Sequence, residues 1–192
     1  MIKIDPKNCL KPVIGPNGLQ YRDLFGRSSE TKAVLASLRR QRDRGKLGFF
    51  DLPYQTAAAK KISETAKNWR GKFDNFVVVG IGGSALGNIA LQSALRHPNW
   101  NLLSREARKG YLRLFVPDNV DPTLIRGLLD VIDLRRTLFN VVSKSGSTAE
   151  CLANYFILRK AVEKKMGASR AREHFVFTTD PEKGFLREVS RR

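Results

Sequence analysis

Residues 76–95 read FVVVGIGGSALGNIALQSAL, from Phe76 to Leu95, and this stretch decides the fold class. Residues 76–80 are a short continuous run of β-branched and aromatic positions that closes on Gly80. Such a run marks a strand buried on both faces rather than one with a wet side. Residues 84–95 then predict a helix, which ends near His97-Pro98. A buried strand passing through glycines straight into a helix is the first half of a βαβ unit.

The same alternation continues outward from this stretch. Residues 111–117 (YLRLFVP) predict a second strand and 122–131 a second crossover helix. Residues 137–143 (TLFNVVS) predict a third strand, and 148–166 a long amphipathic helix closed by Gly167. Residues 174–178 (HFVFT) predict a fourth strand. Asp180-Pro181-Glu182 combines a helix-capping residue, a proline at the first helical position and an acidic first turn, so another helix is expected from there. Strands and helices at this spacing imply right-handed crossovers and a parallel sheet. Upstream, residues 1–23 are rich in Pro, Gly and Asn and read as an irregular arm. Residues 29–44 predict a helix with Val34, Leu35 and Leu38 on its apolar side. After an apolar link over 47–53, residues 54–69 predict another, with Ala58, Ile62, Ala66 and Trp69 on one stripe. The expected fold is therefore α/β: a three-layer α/β/α sandwich with a parallel sheet under a helical N-terminal cover. Residues 1–72 would be the arm and covering helices, and 73–192 the α/β domain. The last helix reaches Arg191-Arg192 without a cap or a following strand, so the domain reads as truncated on its C-terminal side.

Composition narrows the function classes. Hydrophobic residues make up 42% and charged residues 28% of the 192, a globular rather than a disordered balance. The two cysteines, Cys9 and Cys151, lie far apart and outside any Cys-x-x-Cys spacing, which excludes an obvious metal site or disulfide framework and fits a reducing compartment. Lys3, Asp5, Lys7 and Lys11 interrupt every apolar run near the N-terminus. No stretch approaches the ~18 apolar residues of a membrane span. The expectation is a cytoplasmic protein with no membrane partner. Lys and Arg number 35 against 18 Asp and Glu, a formal charge of +17. These residues are dispersed along the predicted helices, interleaved with Ala, Leu and Glu, as on solvated helix faces. Aromatic residues are not interleaved among them as stacking platforms for bases would be, so no nucleic-acid partner is expected.

In open parallel sheets, ligands bind beyond the carboxyl ends of strands. Two strand-to-helix junctions carry unusual chemistry. The first is GIGGSALG, residues 80–87. Glycines let the backbone approach an anion, the helix start offers N–H groups and the positive end of its dipole, and the Ser84 hydroxyl adds a donor. The second, residues 143–150, is SKSGSTAE, with four hydroxyls, one ammonium and a glycine at a helix start. A dianionic phosphate needs several donors and a compensating charge, and this loop supplies both; simple helix capping needs only one such residue. Gly80-x-Gly82-x-x-Ala85 also matches a dinucleotide-binding fingerprint, but the acidic residue required about 20 positions on is missing. No Gly-Lys-Ser/Thr opens a helix as in nucleotide-binding P-loops. No cofactor and no metal are expected.

The pair GIGGSALG (80–87) and VSKSGSTAE (142–150), in this order, resembles the two signature loops of bacterial-type glucose-6-phosphate isomerases. Residues 47–53 and 178–187 (TTDPEKGFLR) are similar to segments of the same family, so the resemblance covers roughly 47–192. It implies a sugar-isomerase (SIS) domain of flavodoxin-like type over 73–192 and an aldose–ketose isomerase acting on hexose 6-phosphates in glycolysis and gluconeogenesis. It also implies that Gly83 and Ser84 contact the sugar. Ser143, Lys144, Ser145 and Thr148 would hold the phosphate, and Glu150 would orient a ring-opening histidine. Ser147 and Cys151 stand where threonine is common in the family. Family members are more than twice as long and form homodimers. Their proton-transferring glutamate, ring-opening histidine and C-terminal lysine have no counterpart here: His97 precedes a proline and His174 opens a strand. The resemblance thus implies a sugar-phosphate-binding half with negligible activity alone. The alternative is a non-catalytic sugar-phosphate-binding module.

Overall fold

The sheet at the centre of the computed structural model has four parallel strands in the order β2-β1-β3-β4. The strands are β1 (Asn75–Val79), β2 (Arg113–Phe115), β3 (Thr137–Ser143) and β4 (Phe175–Thr179). The structure describes residues 5–26 and 28–191; Arg192, where the predicted final helix reaches its end, lies outside them. The helices are α1 (Lys11–Ile14), α2 (Tyr21–Phe25), α3 (Ser28–Asp43), α4 (Thr56–Lys72), α5 (Gly83–Leu95), α6 (Pro122–Val131), α7 (Ala149–Met166), α8 (Ala168–Ala171) and α9 (Phe185–Ser190).

The chain divides into two compact units, Met1–Lys61 and Ile62–Arg192. In the first, the segment expected to be an irregular arm folds into the short helices α1 and α2. The apolar link over 47–53 becomes a 3-10 helix, Gly48–Tyr54, with Pro53 inside it. A salt bridge of 2.7 Å ties Arg42 at the end of α3 to Asp51. None of the described residues of this unit is buried, and the apolar positions Val34, Leu35 and Leu38 of α3 stay 59%, 48% and 38% exposed.

In the second unit the valines of β1 explain themselves. Val77, Val78 and Val79 are all buried, because successive strand residues point to opposite faces and both faces are covered. On one face Val77, Val79, Phe139 and Val141 form a core cluster with Ile125 and Leu128 of α6, Tyr155, Leu158 and Val162 of α7, and Leu186 of α9. On the other, Phe76 stacks on Trp69 of α4, with ring centroids 6.0 Å apart. The register pairs Phe139 with Phe175, whose rings stack at 5.1 Å. At the foot of the sheet the buried Asn75 side chain donates to Thr137 Oγ1 at 2.9 Å and accepts from Arg113 Nε at 2.7 Å. Both halves of its amide are thereby satisfied.

Three expectations are corrected. The second strand is three residues rather than the seven of 111–117. It pairs with β1 only from Arg113 to Phe115, and on its outer side the Asn101 amide takes both the Leu114 N–H at 2.9 Å and the Leu114 carbonyl at 2.6 Å. The fourth strand starts one residue late because His174 is drawn under the sheet, its Nδ1 sharing a 2.7 Å hydrogen bond with the Thr137 carbonyl. The last helix starts at Phe185 instead of near Pro181. The Asp180 carboxylate does accept backbone N–H groups, from Glu182 at 2.9 Å and Lys183 at 3.1 Å, but it closes a turn rather than a helix.

Candidate functional site

From β1 the chain moves outward to β2, then returns past β1 to β3 on its other side. The strand order therefore reverses between β1 and β3. In a doubly wound sheet this is the point where two strand-to-helix loops part and leave a crevice at the carboxyl ends. The two loops singled out in the sequence are those that follow β1 and β3. Topology brings them together although about 60 residues separate them in the chain.

The first loop is tight. At Gly80 a Cβ would lie 2.9 Å from the Ser84 Cβ and carbonyl oxygen, so only glycine lets the end of β1 pass so close beneath α5. Gly82, in the N-cap position, brings no capping side chain. In the second loop the hydroxyls hold one another. Ser143 Oγ, on a buried residue, shares a 3.0 Å hydrogen bond with Thr148 Oγ1 and accepts from the Gly146 N–H at 3.1 Å. Ser145 Oγ lies 3.4 Å from Thr148 Oγ1 and accepts from the Ser147 N–H at 3.3 Å. Thr148 occupies the N-cap of α7, yet its side chain makes no capping hydrogen bond to the helix. The cluster thus shapes a loop instead of sealing the helix, and leaves first-turn N–H groups of α7 without a side-chain cap.

A cleft of about 440 Å³ opens between these loops. Gly83, Ser84 and Asn88 of α5, Val142, Lys144 and residues 178–180 line it. Lys144 is exposed, and its ammonium makes no ion pair or hydrogen bond among the described residues. Thr179 Oγ1, at the end of β4, is buried without a hydrogen-bond partner among the described residues. Asp180 is the acidic lining residue, and the Glu182 and Lys183 N–H groups hold its carboxyl below the usual range. Glu150 is exposed on the first turn of α7 and is not part of the cleft lining, a position where a carboxylate favours the positive end of the helix. Of the residues proposed from sequence, Gly83, Ser84 and Lys144 come together in the cleft. Ser143, Ser145 and Thr148 form the hydrogen-bonded loop beside it.

A third segment supports that loop. Gly184 has φ +96°, and a Cβ there would lie 2.3 Å from the Ser145 carbonyl oxygen. The Leu186 N–H donates to the Gly146 carbonyl at 3.1 Å. Beneath the site Cys151 is buried, its Sγ 3.4 Å from the Val79 carbonyl oxygen, and burial pushes its thiol up to about 11. Neither histidine reaches the cleft. His174 is buried against the Thr137 carbonyl and edge-on to Phe73, and His97 Nδ1 accepts from the Asn99 N–H at 3.0 Å. Sequence reading gave no role to Asn88, Thr179 or Gly184. A signal for Thr179 and Gly184 was the segment 178–187 (TTDPEKGFLR), singled out only for its family likeness.

Fold and cleft together define a doubly wound α/β domain whose switch point offers a cation, hydroxyls and helix starts, a donor set suited to an oxyanion. Comparison with known proteins makes this specific. The model of the phosphoglucose isomerase family matches residues 54–184, and the chain belongs to that family. It is 44% identical over 191 residues to the glucose-6-phosphate isomerase of Carboxydothermus hydrogenoformans, covering 99% of this chain and 41% of that protein. Identity to the Rubrobacter xylanophilus glucose-6-phosphate isomerase is 40%, over 100% of this chain and 42% of the relative. The chain thus spans about two-fifths of the length of these curated relatives. Among solved structures, a hypothetical protein of Thermus thermophilus matches with a TM-score of 0.67 and 37% identity, over 85% of this chain and 37% of that one. A glucose-6-phosphate isomerase of Chlamydia trachomatis matches with a TM-score of 0.58 and 34% identity, over 71% and 24%.

Proposed function

We propose that this chain is the sugar-phosphate-binding part of a glucose-6-phosphate isomerase, the enzyme that interconverts glucose 6-phosphate and fructose 6-phosphate. One observation carries the reading: the loops after β1 and β3 meet at the switch point around a cleft holding Gly83, Ser84 and the ammonium of Lys144. In this reading the first-turn N–H groups of α7, the Lys144 ammonium and the hydroxyls of Ser143, Ser145 and Thr148 take the phosphate. Gly83 and Ser84 face the sugar. Glu150, outside the cleft lining, supports a histidine that this chain does not supply. The isomerisation opens the ring, then moves a proton between C1 and C2 through an enediolate, with a carboxylate as base. The clamp fixes the substrate and neutralises its charge. This proton transfer requires no cofactor.

The two histidines of the chain are engaged away from the cleft, and Asp180 is engaged by backbone N–H groups. The chain alone is accordingly expected to bind without turning over. The same reading treats 73–192 as the sugar-isomerase domain, 1–72 as an N-terminal arm and covering helices, and the active enzyme as a cytoplasmic homodimer. No helix among the described residues is long and apolar enough to cross a membrane.

Calorimetric titration tests the clamp. Glucose 6-phosphate is expected to bind, while glucose at the same concentration gives no heat of binding. Equal affinity for the two sugars would remove the phosphate from the reading, and measurable conversion of fructose 6-phosphate by the 192-residue chain would remove the division of labour.

A further inference from the structure

A second cavity, of about 380 Å³, lies against the other end of α5. Gly83, Ser84 and Asn88 at the start of that helix face the cleft already described, whereas Gln92 and Arg96 at its end line this cavity. The two cavities share no lining residue. All lining residues of the second belong to the unit Ile62–Arg192. Its walls are aromatic: Trp69 and Phe76 stacked together, with Trp100 and Tyr111. The Trp100 indole is held by its Nε1–H, which donates to the Leu112 carbonyl at 3.0 Å.

Two arginines converge on this aromatic wall. The Arg70 guanidinium carbon lies 3.6 Å from the Tyr111 ring centroid. That of Arg96 lies 4.8 Å from the same centroid and 4.5 Å from that of Trp100. Neither guanidinium has a carboxylate partner or a side-chain hydrogen bond among the described residues. Asp74 is committed to Arg105 and Arg136. A guanidinium laid on a ring keeps its in-plane N–H edge free, and that edge is the part that donates in pairs to a phosphate or carboxylate. Two cations directed at one ring also repel unless an anion joins them. The cavity is within the size range of small-ligand sites, and its remaining lining is mostly apolar, apart from Gln92 and an Arg113 that is engaged with the Asn75 side chain and the Val131 carbonyl.

We infer that this cavity binds a planar aromatic anion of the nucleoside monophosphate class, with the ring in the mostly apolar space that Trp69, Trp100 and Leu114 help to line and the phosphate on the free edges of Arg70 and Arg96. The inference is independent of the isomerase reading. The chain has two tryptophans, Trp69 and Trp100, and both line this cavity, so intrinsic fluorescence reports on it directly. Titration with adenosine 5′-monophosphate, excited on the red edge where adenine does not absorb, is expected to give a saturable change. Adenosine, which lacks the phosphate, and ribose 5-phosphate, which lacks the base, are each expected to bind at least about tenfold more weakly, the first through loss of a charge-assisted contact and the second through loss of the aromatic contact. Glucose 6-phosphate in excess should leave the nucleotide titration unchanged. Arg70→Gln and Arg96→Gln should each weaken the nucleotide by a similar factor. If either variant fails to fold by circular dichroism, the comparison of the three ligands on the wild-type chain decides. No saturable change, equal binding of adenosine and its monophosphate, or displacement by glucose 6-phosphate would each overturn the inference.

Discussion

Lys144 is exposed at the cleft between two loops that the sequence places far apart, with no acidic partner among the described residues. An ammonium in that setting contributes little to the fold and much to an incoming dianion. Lys144→Ala is therefore expected to leave the unfolding midpoint nearly unchanged and to weaken glucose 6-phosphate binding by ~1.5–3 kcal/mol, the range for hydrogen bonds to charged groups. Calorimetry on both proteins decides it, and unchanged affinity would take the lysine out of the phosphate site. Cys151 makes the opposite case. It lies beneath the same loops, and its burial lifts the thiol to about 11, so almost none is thiolate near neutral pH. Iodoacetamide should label the exposed Cys9 and spare Cys151 until the protein is denatured, as mass spectrometry of the peptides would show. Lys144, Ser84 and the serines of the second loop were legible in the sequence because their chemistry is crowded into two short segments. Asn88 and Thr179 were not. Each is unremarkable in its own segment and joins the cleft lining only through the strand order.

The elements show where local pattern governs and where pairing overrides it. β3 was legible to the residue, since its two neighbours between them pair with its whole length, β1 over Thr137–Val141 and β4 over Phe139–Ser143. β2 was not: it pairs with β1 only from Arg113 to Phe115, two residues short of the end of β1, and Asn101 takes over the Leu114 backbone groups from outside. The segment from Asp180 carries a helix-start pattern, yet the helix begins at Phe185. That delay has a use: it puts Gly184 against the backbone of Ser145 and Gly146, and the start of α9 becomes a prop for the second loop. A side chain at Gly184 would be strained by its positive φ and would strike a backbone oxygen that cannot swing away. Gly184→Ala should cost about 1–3 kcal/mol of stability and weaken glucose 6-phosphate binding as well, because relief of the clash displaces Ser145. Denaturant unfolding and calorimetry measure the two effects separately. A variant as stable and as tight as wild type would show that the loop stands without this prop.

At the scale of the whole molecule, burial is distributed unevenly. Each buried residue lies in the unit Ile62–Arg192, and none of the described residues of Met1–Lys61 is buried. The sequence drew an apolar side on α3 through Val34, Leu35 and Leu38, and the helix forms as predicted. Helical spacing, however, shows which residues can be buried together, not how much surface is available to bury them. Local opening is resisted by buried apolar contacts and by backbone hydrogen bonds shielded from water. β1 and β3 have both: paired along five residues, with Val77, Val79, Phe139 and Val141 in the core cluster. The amides of α3 have helical hydrogen bonds with solvent close by, and an isolated helix of that length is marginal in water. Hydrogen exchange followed by mass spectrometry should therefore resolve two classes. Peptides from β1 and β3 should exchange at the slow, global limit, and peptides covering α3 should exchange orders of magnitude faster. Adding glucose 6-phosphate should slow exchange in the loops after β1 and β3 and leave α3 unaltered. Equal protection of α3 and β3 in the free chain would mean that the first unit shares the stability of the second, and the two would then have to be treated as one cooperative body.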